Sequence, residues 1–434
     1  MSAAPLSAKP LRIGLAGLGT VGIGVVKIVQ QHADQIALRT GRAVQITAVS
    51  ARDKSKNRDA DLSAYAWEVD PIALAKRDDI DVFVEVMGGH EGAAKLATEA
   101  AIAAGKDVVS ANKALLAHHG QALALAAEAA GRVIRFEAAV AGGIPVIKAL
   151  TEGLAGNQIK RVMGVMNGSC NYILTRMQNE GLSYAEVFDA AQQLGYLEAD
   201  PNLDVGGIDA GHKLSLLAAI AFGTQVSFDA VELEGIGAIS IDDINLAADM
   251  GYRIKLLGVA QMTGRGLEQR MTPCLVPADS PLGQLQGGTN MVVLEGDSVG
   301  QIVLRGPGAG MGPTASAVMS DVLDIARGLR LPTFGQPAST LALPQAARSS
   351  TPAGYYLRMT LLDKPGALAK IATCLGEAGV SIDQMRQYDH EGDKATVLIV
   401  THKATRADID HATGRFAATG VMVGDPVALR IEEV

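Results

Sequence analysis

The segment LRIGLAGLGTVGIGVVKIVQ, residues 11–30, decides the fold of the N-terminal part of this chain. Its first residues, Leu11–Ala16, predict a buried strand, and the apolar spacing that follows predicts a helix. The glycines between them form G-x-G-x-x-G, which in this context permits a tight turn and brings backbone amides close to a pyrophosphate. A merely structural glycine turn is the alternative. The cofactor residues predicted here are Gly17, Gly19, Thr20, Val21 and Gly22.

More strand–helix units follow within residues 1–136, which we assign to an α/β dinucleotide-binding domain. Strands are predicted at Ile80–Val86 and Lys106–Val109, and each is followed by a helical segment. Ligands bind outside the carboxyl ends of strands in such folds. Lys113 follows the second of these ends, so it is a better site candidate than an ordinary surface lysine. The cofactor residues predicted at the two strand ends are Met87, Gly88, Ser110 and Lys113.

The end of the second predicted strand, Val44–Val49, bears on which dinucleotide is bound. An acidic residue there usually bonds the ribose 2′-hydroxyl of NAD. This chain instead has Ser50-Ala51-Arg52, followed by further basic residues, and Asp53 comes late. A basic cluster suits a 2′-phosphate, so we expect NADP or both cofactors, with Arg52 as the contact. A solvated loop of mixed charge is the alternative.

The segment GYLEADPNLDVGGIDAGHK, residues 195–213, concentrates acidic residues before the apolar run LSLLAAIAF. The run predicts a buried helix. Asp209 and Lys213 are four residues apart near its start, so they share one face of the helix. A surface ion pair is the plain alternative. A lysine that enters a buried helix is desolvated, however, and a desolvated lysine can transfer protons near neutral pH.

The remaining chain predicts two more domains. Residues 137–341 contain strands that imply a sheet, and the helix predicted at 313–330 is expected to return to the first domain. Residues 342–354 form a linker. Residues 355–434 predict the order β-α-β-β-α-β, which is that of a ferredoxin-like domain.

Composition narrows the class of protein. The chain has 434 residues, a net charge of −8 and three scattered cysteines. The charge argues against nucleic acid or an anionic membrane as a partner. The cysteines form neither a disulfide framework nor a metal-binding spacing, and the N-terminus MSAAPLSAKP lacks the apolar core of a signal peptide. These features predict a cytoplasmic enzyme.

Together these motifs resemble homoserine dehydrogenase of the form that carries a C-terminal ACT domain. The resemblance rests on GLGTVG, MGG, SANK, NGSCN, GPGAG and the pattern E-x5-D-x4-D-x3-K from Glu198 to Lys213. It covers nearly the whole chain. It implies a Rossmann domain, an α+β substrate and dimerisation domain, and an ACT domain. It also implies reversible hydride transfer between L-homoserine and L-aspartate 4-semialdehyde with NAD or NADP, in a homodimer or homotetramer.

The resemblance assigns roles to individual residues. Glu198 and Asp204 would bind the substrate amino group, Asp209 would orient the site, and Lys213 and Lys113 would lie near the reacting oxygen. A carboxylate suits an ammonium group, and a lysine can take the alcohol proton or stabilise the oxygen in the reverse direction. The other residues that it implies are Asn167, Gly168 and Ser169 for the substrate and Gly308 for the cofactor.

Two further sites are expected. The resemblance implies a monovalent cation, Na⁺ or K⁺, at Glu137 and at the backbone carbonyls of Val140, Gly142 and Ile144. In the tail, Pro365 and Gly366 open a helix and leave backbone amides for a carboxylate, while Asp363 suits an ammonium group. Threonine is the expected effector, and a tail that only dimerises is the alternative. The regulatory residues predicted are Asp363, Gly366, Ala367 and Leu368.

Two other functions compete with this one. The family turn usually reads NGTTN, and NGSCN places Cys170 where a hydroxyl is usual. Cys170 suggests a semialdehyde dehydrogenase that uses a thiol nucleophile, although no histidine and arginine set accompanies it. The ACT-like tail suggests a catalytically inactive nucleotide and amino-acid sensor. Lys113, Glu198, Asp209 and Lys213 together argue against an inactive protein.

Overall fold

A computed structural model describes residues 9–197, 200–348 and 351–433. Its strands, in chain order, are β1 (Leu11–Ala16), β2 (Val44–Ser50), β3 (Ala66–Glu68), β4 (Val82–Glu85), β5 (Asp107–Ser110), β6 (Ile134–Arg135), β7 (Ile159–Val165), β8 (Glu232–Leu233), β9 (Tyr252–Thr263), β10 (Gly266–Pro277), β11 (Thr289–Gly296), β12 (Gly300–Pro307), β13 (Gly354–Leu362), β14 (Ile382–Glu391), β15 (Lys394–Thr401) and β16 (Met422–Ile431).

Its α-helices, in chain order, are α1 (Thr20–Gln31), α2 (Ala33–Thr40), α3 (Pro71–Ala75), α4 (Ala93–Ala103), α5 (Lys113–Ala129), α6 (Val146–Lys148), α7 (Gly168–Glu180), α8 (Tyr184–Gln193), α9 (Pro201–Val205), α10 (Ile208–Phe222), α11 (Ile241–Asp249), α12 (Met311–Ala326), α13 (Ala367–Glu377) and α14 (Arg406–Gly414). No helix in the described part of the chain is both long and apolar enough to cross a membrane.

The described residues form two compact units. The first contains residues 9–168, Asp209–Val231 and Gly288–Pro344. The second contains the described parts of residues 169–208, 232–287 and 345–433. The predicted domain boundaries at 136/137 and 341/342 stay predictions, and so does the linker at 342–354.

The first unit is built on a parallel sheet with the strand order β3-β2-β1-β4-β5-β6. This is the order of a doubly wound dinucleotide-binding sheet, in which the strand order reverses between β1 and β4 while all strands stay parallel. The Rossmann-like fold is therefore confirmed. The strand predicted at Leu11–Ala16 has the same bounds in the structure. Three antiparallel strands, β12-β11-β7, form a second sheet in this unit.

Helix α12, which was predicted at 313–330, packs on the parallel sheet. Its Val318 and Val322 share one apolar cluster with Ile13 of β1 and Val25 of α1. Gly24 allows the close approach of the two helices, since a Cβ there would lie 2.8 Å from the Cβ of Ala315. This packing places the GPGAG turn before α12 within the unit that carries the glycine-rich loop.

The second unit contains the β13-α13-β14-β15-α14-β16 fold of the tail, with the strand order β16-β13-β15-β14. The ferredoxin-like prediction is confirmed. Strand β16 also pairs in parallel with β10, through Cys274↔Arg430 and Leu275↔Ile431. Strand β9, which the sequence reading missed, pairs with β10 along its whole length.

Buried charges join the tail to β10. Arg270 of β10 is 2% exposed, and its guanidinium forms ion pairs with Glu268 and with Glu432, which follows β16. Arg430 donates from Nε to the same Glu432 carboxylate at 2.6 Å. Removing one member of such a buried network leaves an uncompensated charge, which is strongly destabilising. The tail and β10 therefore form one structural element.

Candidate active site

The glycine-rich loop between β1 and α1 has the geometry that a dinucleotide needs. Gly17 has φ 104°, and a Cβ there would lie 2.6 Å from the carbonyl oxygen of Val86. At Gly22 a Cβ would lie 2.0 Å from the carbonyl oxygen of Gly17, so this position closes the turn against the helix. A Cβ at Gly19 would meet nothing within 4 Å, and no side chain caps α1. The open side and the uncapped helix fit a pyrophosphate.

A buried carboxylate that the sequence reading missed holds the next two loops. Glu85 ends β4, and its Oε1 accepts hydrogen bonds from the amides of Met87 at 2.7 Å and Gly88 at 3.2 Å. Its Oε2 accepts one from the Ser110 hydroxyl at 2.7 Å. Burial raises the pKa of Glu85. The Ser110 hydroxyl thus supports a loop, and the cofactor contact predicted for Ser110 stays a prediction.

Asn112 fixes the position of Lys113. Its Oδ1 accepts a hydrogen bond from the Leu115 amide at 3.0 Å and so caps α5. Its Nδ2 donates to the carbonyl oxygen of Gly89 at 2.7 Å, which ties the loop after β5 to the loop after β4. Lys113 is the first residue of α5. The hydrogen bonds of Asn112 therefore fix the backbone position from which the Lys113 side chain extends.

Asp209 brings the two predicted lysines together. Its Oδ1 lies 2.9 Å from Lys113 Nζ, and its Oδ2 lies 2.6 Å from Lys213 Nζ. The side chains of Asp209 and Lys213 are only 9% and 11% exposed. The alternative of a surface ion pair is therefore wrong. Burial alone would raise the pKa of Asp209, but the charges of Lys213 and Lys113 lower it well below its ordinary value.

The turn after β7 completes this cluster. Lys213 Nζ donates to the carbonyl oxygen of Met166 at 2.9 Å, and Asn167 Nδ2 donates to Asp209 Oδ2 at 3.4 Å. An ammonium group has three donors. The carbonyl and Asp209 take two of those of Lys213, so the third is available to a substrate oxygen. Gly168 is required sterically, because a Cβ there would lie 2.6 Å from the carbonyl oxygen of Gly288.

In the second unit, Asp204 lies on the short helix α9 and is 4% exposed. Its carbonyl oxygen accepts a hydrogen bond from the thiol of Cys170 at 3.3 Å. The thiol thus supplies a donor where the family turn usually has a hydroxyl. Ser169 donates its hydroxyl to the carbonyl oxygen of Tyr196 at 2.6 Å. Glu198, predicted to bind the substrate, lies outside the described residues.

Lys255 of β9 is a second residue that the sequence reading missed. It is 3% exposed, and its Nζ donates to Asn171 Oδ1 at 3.0 Å and to the carbonyl oxygen of Leu285. Asn171 in turn donates to the carbonyl oxygen of Gly287 at 2.7 Å. Burial, and then the charge of Arg253, lower the pKa of Lys255 to about 8. This ammonium group supports the start of α7, which carries Ser169 and Cys170.

The basic segment after β2 has a defined internal structure. Asp53 accepts hydrogen bonds from the amide and hydroxyl of Ser55 at 2.8 Å and 2.7 Å, which shape the loop. Arg58 donates to the carbonyl oxygens of Leu18 at 3.2 Å and Asp53 at 2.7 Å. Arg58 therefore ties this loop to the glycine-rich turn, while the side chain of Arg52 is exposed. The Asp53 carboxylate forms hydrogen bonds within the loop, and the exposed guanidinium of Arg52 suits a 2′-phosphate.

The predicted cation site lies in a constrained segment. The Glu137 carboxylate accepts hydrogen bonds from the amides of Ile147 at 2.9 Å and Lys148 at 2.8 Å. Burial, and then the charge of Asp321, raise its pKa to about 7. Each carboxylate oxygen accepts one of these hydrogen bonds, so each keeps a lone pair for the predicted cation. No group of three or more His, Cys, Asp or Glu side chains among the described residues could hold a metal ion.

The backbone that carries the predicted carbonyls of Val140, Gly142 and Ile144 is strained. Ala141 has φ 55°, which is uncommon outside glycine and persists only where the surroundings impose it. Gly142 has φ 50°, and a Cβ there would lie 2.4 Å from the carbonyl oxygen of Gly308. This contact places Gly308, predicted to bind the cofactor, against the predicted cation segment.

Histidine rings pack beside the lysine pair. His212 is 7% exposed, and its ring centroid lies 5.4 Å from that of His118 and 4.2 Å from that of Phe228. Its Nε2 is buried without a hydrogen-bond partner in the described part of the chain. Burial, and then the charge of His118, lower the pKa of His212 to about 4. His212 is therefore a neutral packing residue at neutral pH.

Known proteins are similar to this chain over nearly its whole length. Residues 145–323 match the homoserine dehydrogenase family, residues 17–137 match its NAD-binding domain, and residues 355–420 match the ACT domain. Homoserine dehydrogenase of Pseudomonas aeruginosa is 41% identical over 435 residues, covering 98% of this chain and 100% of that protein. The chain belongs to the homoserine dehydrogenase family. It is an oxidoreductase with a dinucleotide-binding domain and an ACT domain.

Solved homoserine dehydrogenases share the fold. The enzyme from Thiobacillus denitrificans superposes with a TM-score of 0.92 at 37% identity, covering 98% of both chains. A hyperthermophilic archaeal homoserine dehydrogenase in complex with NADPH superposes with a TM-score of 0.61 at 26% identity. It covers 75% of this chain and 99% of its own. The family thus includes chains that match only about three quarters of this one.

Proposed function

We propose that this homoserine dehydrogenase catalyses reversible hydride transfer between L-homoserine and L-aspartate 4-semialdehyde, in the biosynthesis of threonine, methionine and isoleucine. The observation that carries the proposal is the buried Asp209 carboxylate between Lys113 and Lys213. In the oxidation, the alcohol carbon loses a hydride and the alcohol oxygen loses a proton. Bound NAD(P)⁺ accepts the hydride, and the protein must handle the proton.

Lys213 acts on the reacting oxygen in this proposal. Its Nζ is held by Asp209 Oδ2 and by the carbonyl oxygen of Met166, so one donor direction remains for the substrate. In the reduction this donor stabilises the developing negative charge on oxygen and supplies the proton. In the oxidation the same nitrogen, as a neutral amine, receives the proton and becomes the ammonium group. Lys113, on the other oxygen of Asp209, contributes a second positive charge.

Carboxylates hold the substrate ammonium group. Asp204 and Glu198 take this role, since an ammonium group is best recognised by carboxylates in a partly dehydrated site. Glu198→Gln should raise the KM for homoserine more than it changes kcat, because one of the charges is lost. An unchanged KM would remove Glu198 from the substrate site.

The cofactor in this proposal is NADP, or both dinucleotides. The exposed Arg52 supports a 2′-phosphate contact, and Arg58 and Asp53 hold its loop against the glycine-rich turn. The archaeal homoserine dehydrogenase of similar fold was solved with NADPH. The residues proposed to contact the cofactor are Gly17, Gly19, Thr20, Val21, Gly22, Arg52, Met87, Gly88, Ser110, Lys113 and Gly308. A bound Na⁺ or K⁺ at Glu137 and at the backbone carbonyls of Val140, Gly142 and Ile144 belongs to the same proposal.

Threonine regulation through the tail is also proposed. Gly366, at φ 83°, precedes α13 without any side-chain cap, which suits a carboxylate. The Ala367 amide is not free, because it donates to the carbonyl oxygen of Lys364 at 3.0 Å. The expectation of several free amides in this loop is wrong at that position. The amide of Leu368 and the carboxylate of Asp363 remain the proposed contacts.

The structure also changes the expected effect of removing the tail. From the sequence, a chain cut near residue 350 should keep catalysis and lose threonine sensitivity. Such a cut would remove Glu432 from the buried Arg270 and β16 from β10. Threonine sensitivity is therefore better tested with point variants in the complete enzyme. Asp363→Asn should lose it if the loop before α13 binds the effector.

The competing enzyme function is disfavoured by the position of Cys170. Its side chain is fully buried, and its thiol donates to the carbonyl oxygen of Asp204. A nucleophilic cysteine must be accessible and ionised. An inactive sensor would not need the two lysines held on Asp209.

We propose a cytoplasmic homodimer or homotetramer.

One assay tests the central proposal. Purified enzyme is mixed with L-homoserine and either NAD⁺ or NADP⁺, and the reduced cofactor is followed by absorbance. The reverse reaction with L-aspartate 4-semialdehyde and NADPH is measured in parallel. Cys170→Ser should keep activity in both directions. Failure of the unaltered enzyme to oxidise homoserine with either cofactor would refute the proposal.

A further inference from the structure

A single tryptophan lies beside the basic loop that follows β2. Trp67 is the only tryptophan in the chain. It is the middle residue of β3, and it pairs with Val49, the next-to-last residue of β2. In a doubly wound sheet, the carboxyl end of this strand is where the ribose of a dinucleotide is recognised. Trp67 therefore lies at the part of the sheet where NAD and NADP are distinguished.

The loop between β2 and β3 carries an excess of positive charge. Residues 52–58 contain Arg52, Lys54, Lys56 and Arg58 but only one acid, Asp53. The Asp53 carboxylate accepts hydrogen bonds from groups within the loop. Like charges repel each other and extend a chain segment. The loop therefore needs contacts outside itself to keep its cations in fixed positions.

Arg58 provides such contacts through both the edge and the face of its guanidinium group. Its Nε donates to the carbonyl oxygen of Leu18 at 3.2 Å, and its Nη2 donates to that of Asp53 at 2.7 Å. Its Nη1 donates to the carbonyl oxygen of Lys56 at 3.0 Å. Its Cζ lies over the ring of Trp67, 5.4 Å from the ring centroid. A cation within about 6 Å of an aromatic face is attracted by the ring. Arg58 thus joins the loop to Trp67 and to the glycine-rich turn.

Packing and nearby cations, rather than its own polar group, place the indole ring of Trp67. The ring packs against the apolar cluster of the parallel sheet. Its Nε1 is buried without a hydrogen-bond partner in the part of the chain that the structure describes. Lys54 Nζ lies 6.0 Å from the ring centroid. The ring therefore contacts two of the four cations of the loop, Arg58 and Lys54.

The cations of the loop differ in their exposure. Arg52, Lys54 and Lys56 are exposed, whereas Arg58 is partly buried. A contact between arginine and phosphate depends on geometry, because two N–H groups must meet two oxygens. A ribose hydroxyl makes no such demand on these cations. A shift of the loop should therefore weaken the binding of a 2′-phosphate more than that of a 2′-hydroxyl.

We propose that the Trp67–Arg58 pair positions Arg52 and Lys54 for the 2′-phosphate of NADP and thereby sets the preference for NADP over NAD. Trp67 and Arg58 are positioning residues, since neither contacts the cofactor. The inference rests on the use of NADP proposed above. It differs from a simple charge effect, because the geometry of the loop and not its net charge decides the preference.

Calorimetry on the complete enzyme measures the Kd for NADPH and the Kd for NADH separately. Trp67→Leu keeps every charge and removes the ring. It should weaken NADPH binding about tenfold, while NADH binding changes less than about threefold. Trp67→Phe keeps an aromatic face and should retain most of the preference. Arg58→Lys keeps the charge but loses the planar fork, so it should weaken NADPH binding as Trp67→Leu does.

Arg77→Gln is the matched control for these variants. Arg77 pairs with Glu68 at 2.6 Å and with Asp79 at 2.7 Å, beside the same strand as Trp67. Its replacement should leave the ratio of the two Kd values unchanged. Thermal unfolding should show that each variant folds. Arg58→Lys carries the test by itself if Trp67→Leu does not fold.

Tryptophan fluorescence tests the contact itself, because the chain has no other tryptophan than Trp67. Arg58→Gln removes the charge over the ring and should change the emission spectrum. Arg77→Gln should leave the spectrum as it is in the unaltered enzyme. An unchanged spectrum in Arg58→Gln would show that the guanidinium group does not lie on the ring, and this would overturn the proposal.

The titrations separate this inference from its alternatives. Equal weakening of NADPH and NADH binding in Trp67→Leu would show that the ring only packs, and a normal preference in Arg58→Lys would show that charge alone matters. Either result would overturn the proposal. An unaltered enzyme that binds NADH but not NADPH would refute the proposed cofactor as well. The titrations contain no homoserine, so a failure to oxidise homoserine would refute the proposed reaction alone.

Discussion

Replacing His212 by phenylalanine should make this enzyme more resistant to acid. The imidazole is packed against Phe228 and His118, and it is buried beside Asp209. Its pKa is lowered from 6.5 to about 4, mainly by burial. Phenylalanine keeps a ring in the same space and removes both the titration and the unpartnered Nε2.

The sign and size of the effect follow from linkage between protonation and folding. A base whose folded pKa is lowered contributes stability above its unfolded pKa of 6.5, and this stability is lost as the pH falls from 6.5 to about 4. Each tenfold difference in proton affinity corresponds to about 1.36 kcal/mol. The full difference is then about 3 kcal/mol, and about 2 kcal/mol of it is already lost at pH 5.

Urea unfolding at pH 7.5 and pH 5.0 measures this contribution. The unaltered enzyme should lose about 2 kcal/mol more free energy of unfolding over this interval than His212→Phe does. His32→Gln is the control, because it removes an imidazole that is exposed. Equal losses in the unaltered enzyme and His212→Phe would refute a buried neutral imidazole at this position.

Three further predictions concern catalysis and cofactor binding. Lys213→Ala should lower kcat by about 10²–10⁴-fold, as expected for a lost acid–base group. Fluorescence titration should give an unchanged Kd for the cofactor. A near-normal kcat would exclude Lys213 as the proton-transfer group. Arg52→Ala should weaken NADP binding by about 1.5–3 kcal/mol and spare NAD, whereas equal losses would show that the loop is merely solvated. Gly19→Ala should fold normally, because its Cβ enters open space, and should bind the cofactor weakly, because that space is where the pyrophosphate is proposed to lie. Gly22→Ala should lose thermal stability, because its Cβ would lie 2.0 Å from a carbonyl oxygen. Equal unfolding temperatures for the two glycine variants would contradict this assignment.

Local sequence patterns were sufficient for the elements that chemistry and spacing define. The strand at Leu11–Ala16 and the glycine turn after it follow from one short segment. The pairing of Asp209 with Lys213 follows from their spacing on one helix. The position of Lys113 after a strand end marks it as a site candidate, but its contact with the same carboxylate joins residues 96 positions apart and no local pattern specifies it.

The residues that were missed act through distant partners. Glu85 stands at the end of an apolar strand, and nothing nearby shows that it bonds Ser110, 25 positions away. Strand β9 contains Arg253 and Lys255, and a buried lysine weakens the apolar pattern of a strand. Its partner Asn171 lies 84 positions earlier in the chain. Such contacts depend on the tertiary fold, which a local pattern does not specify.

The buried ion pairs of Arg270 limit how this gene can change. The archaeal homoserine dehydrogenase matches 75% of this chain over 99% of its own length, so the family exists in shorter forms. In the present chain, deletion of the tail would leave the buried guanidinium of Arg270 with Glu268 alone, and neutralising residue 270 would leave Glu432 with Arg430 alone. Loss of the tail is therefore expected to be better tolerated when residue 270 changes as well. Chimeras between long and short enzymes should exchange β10 and the tail as one inherited block.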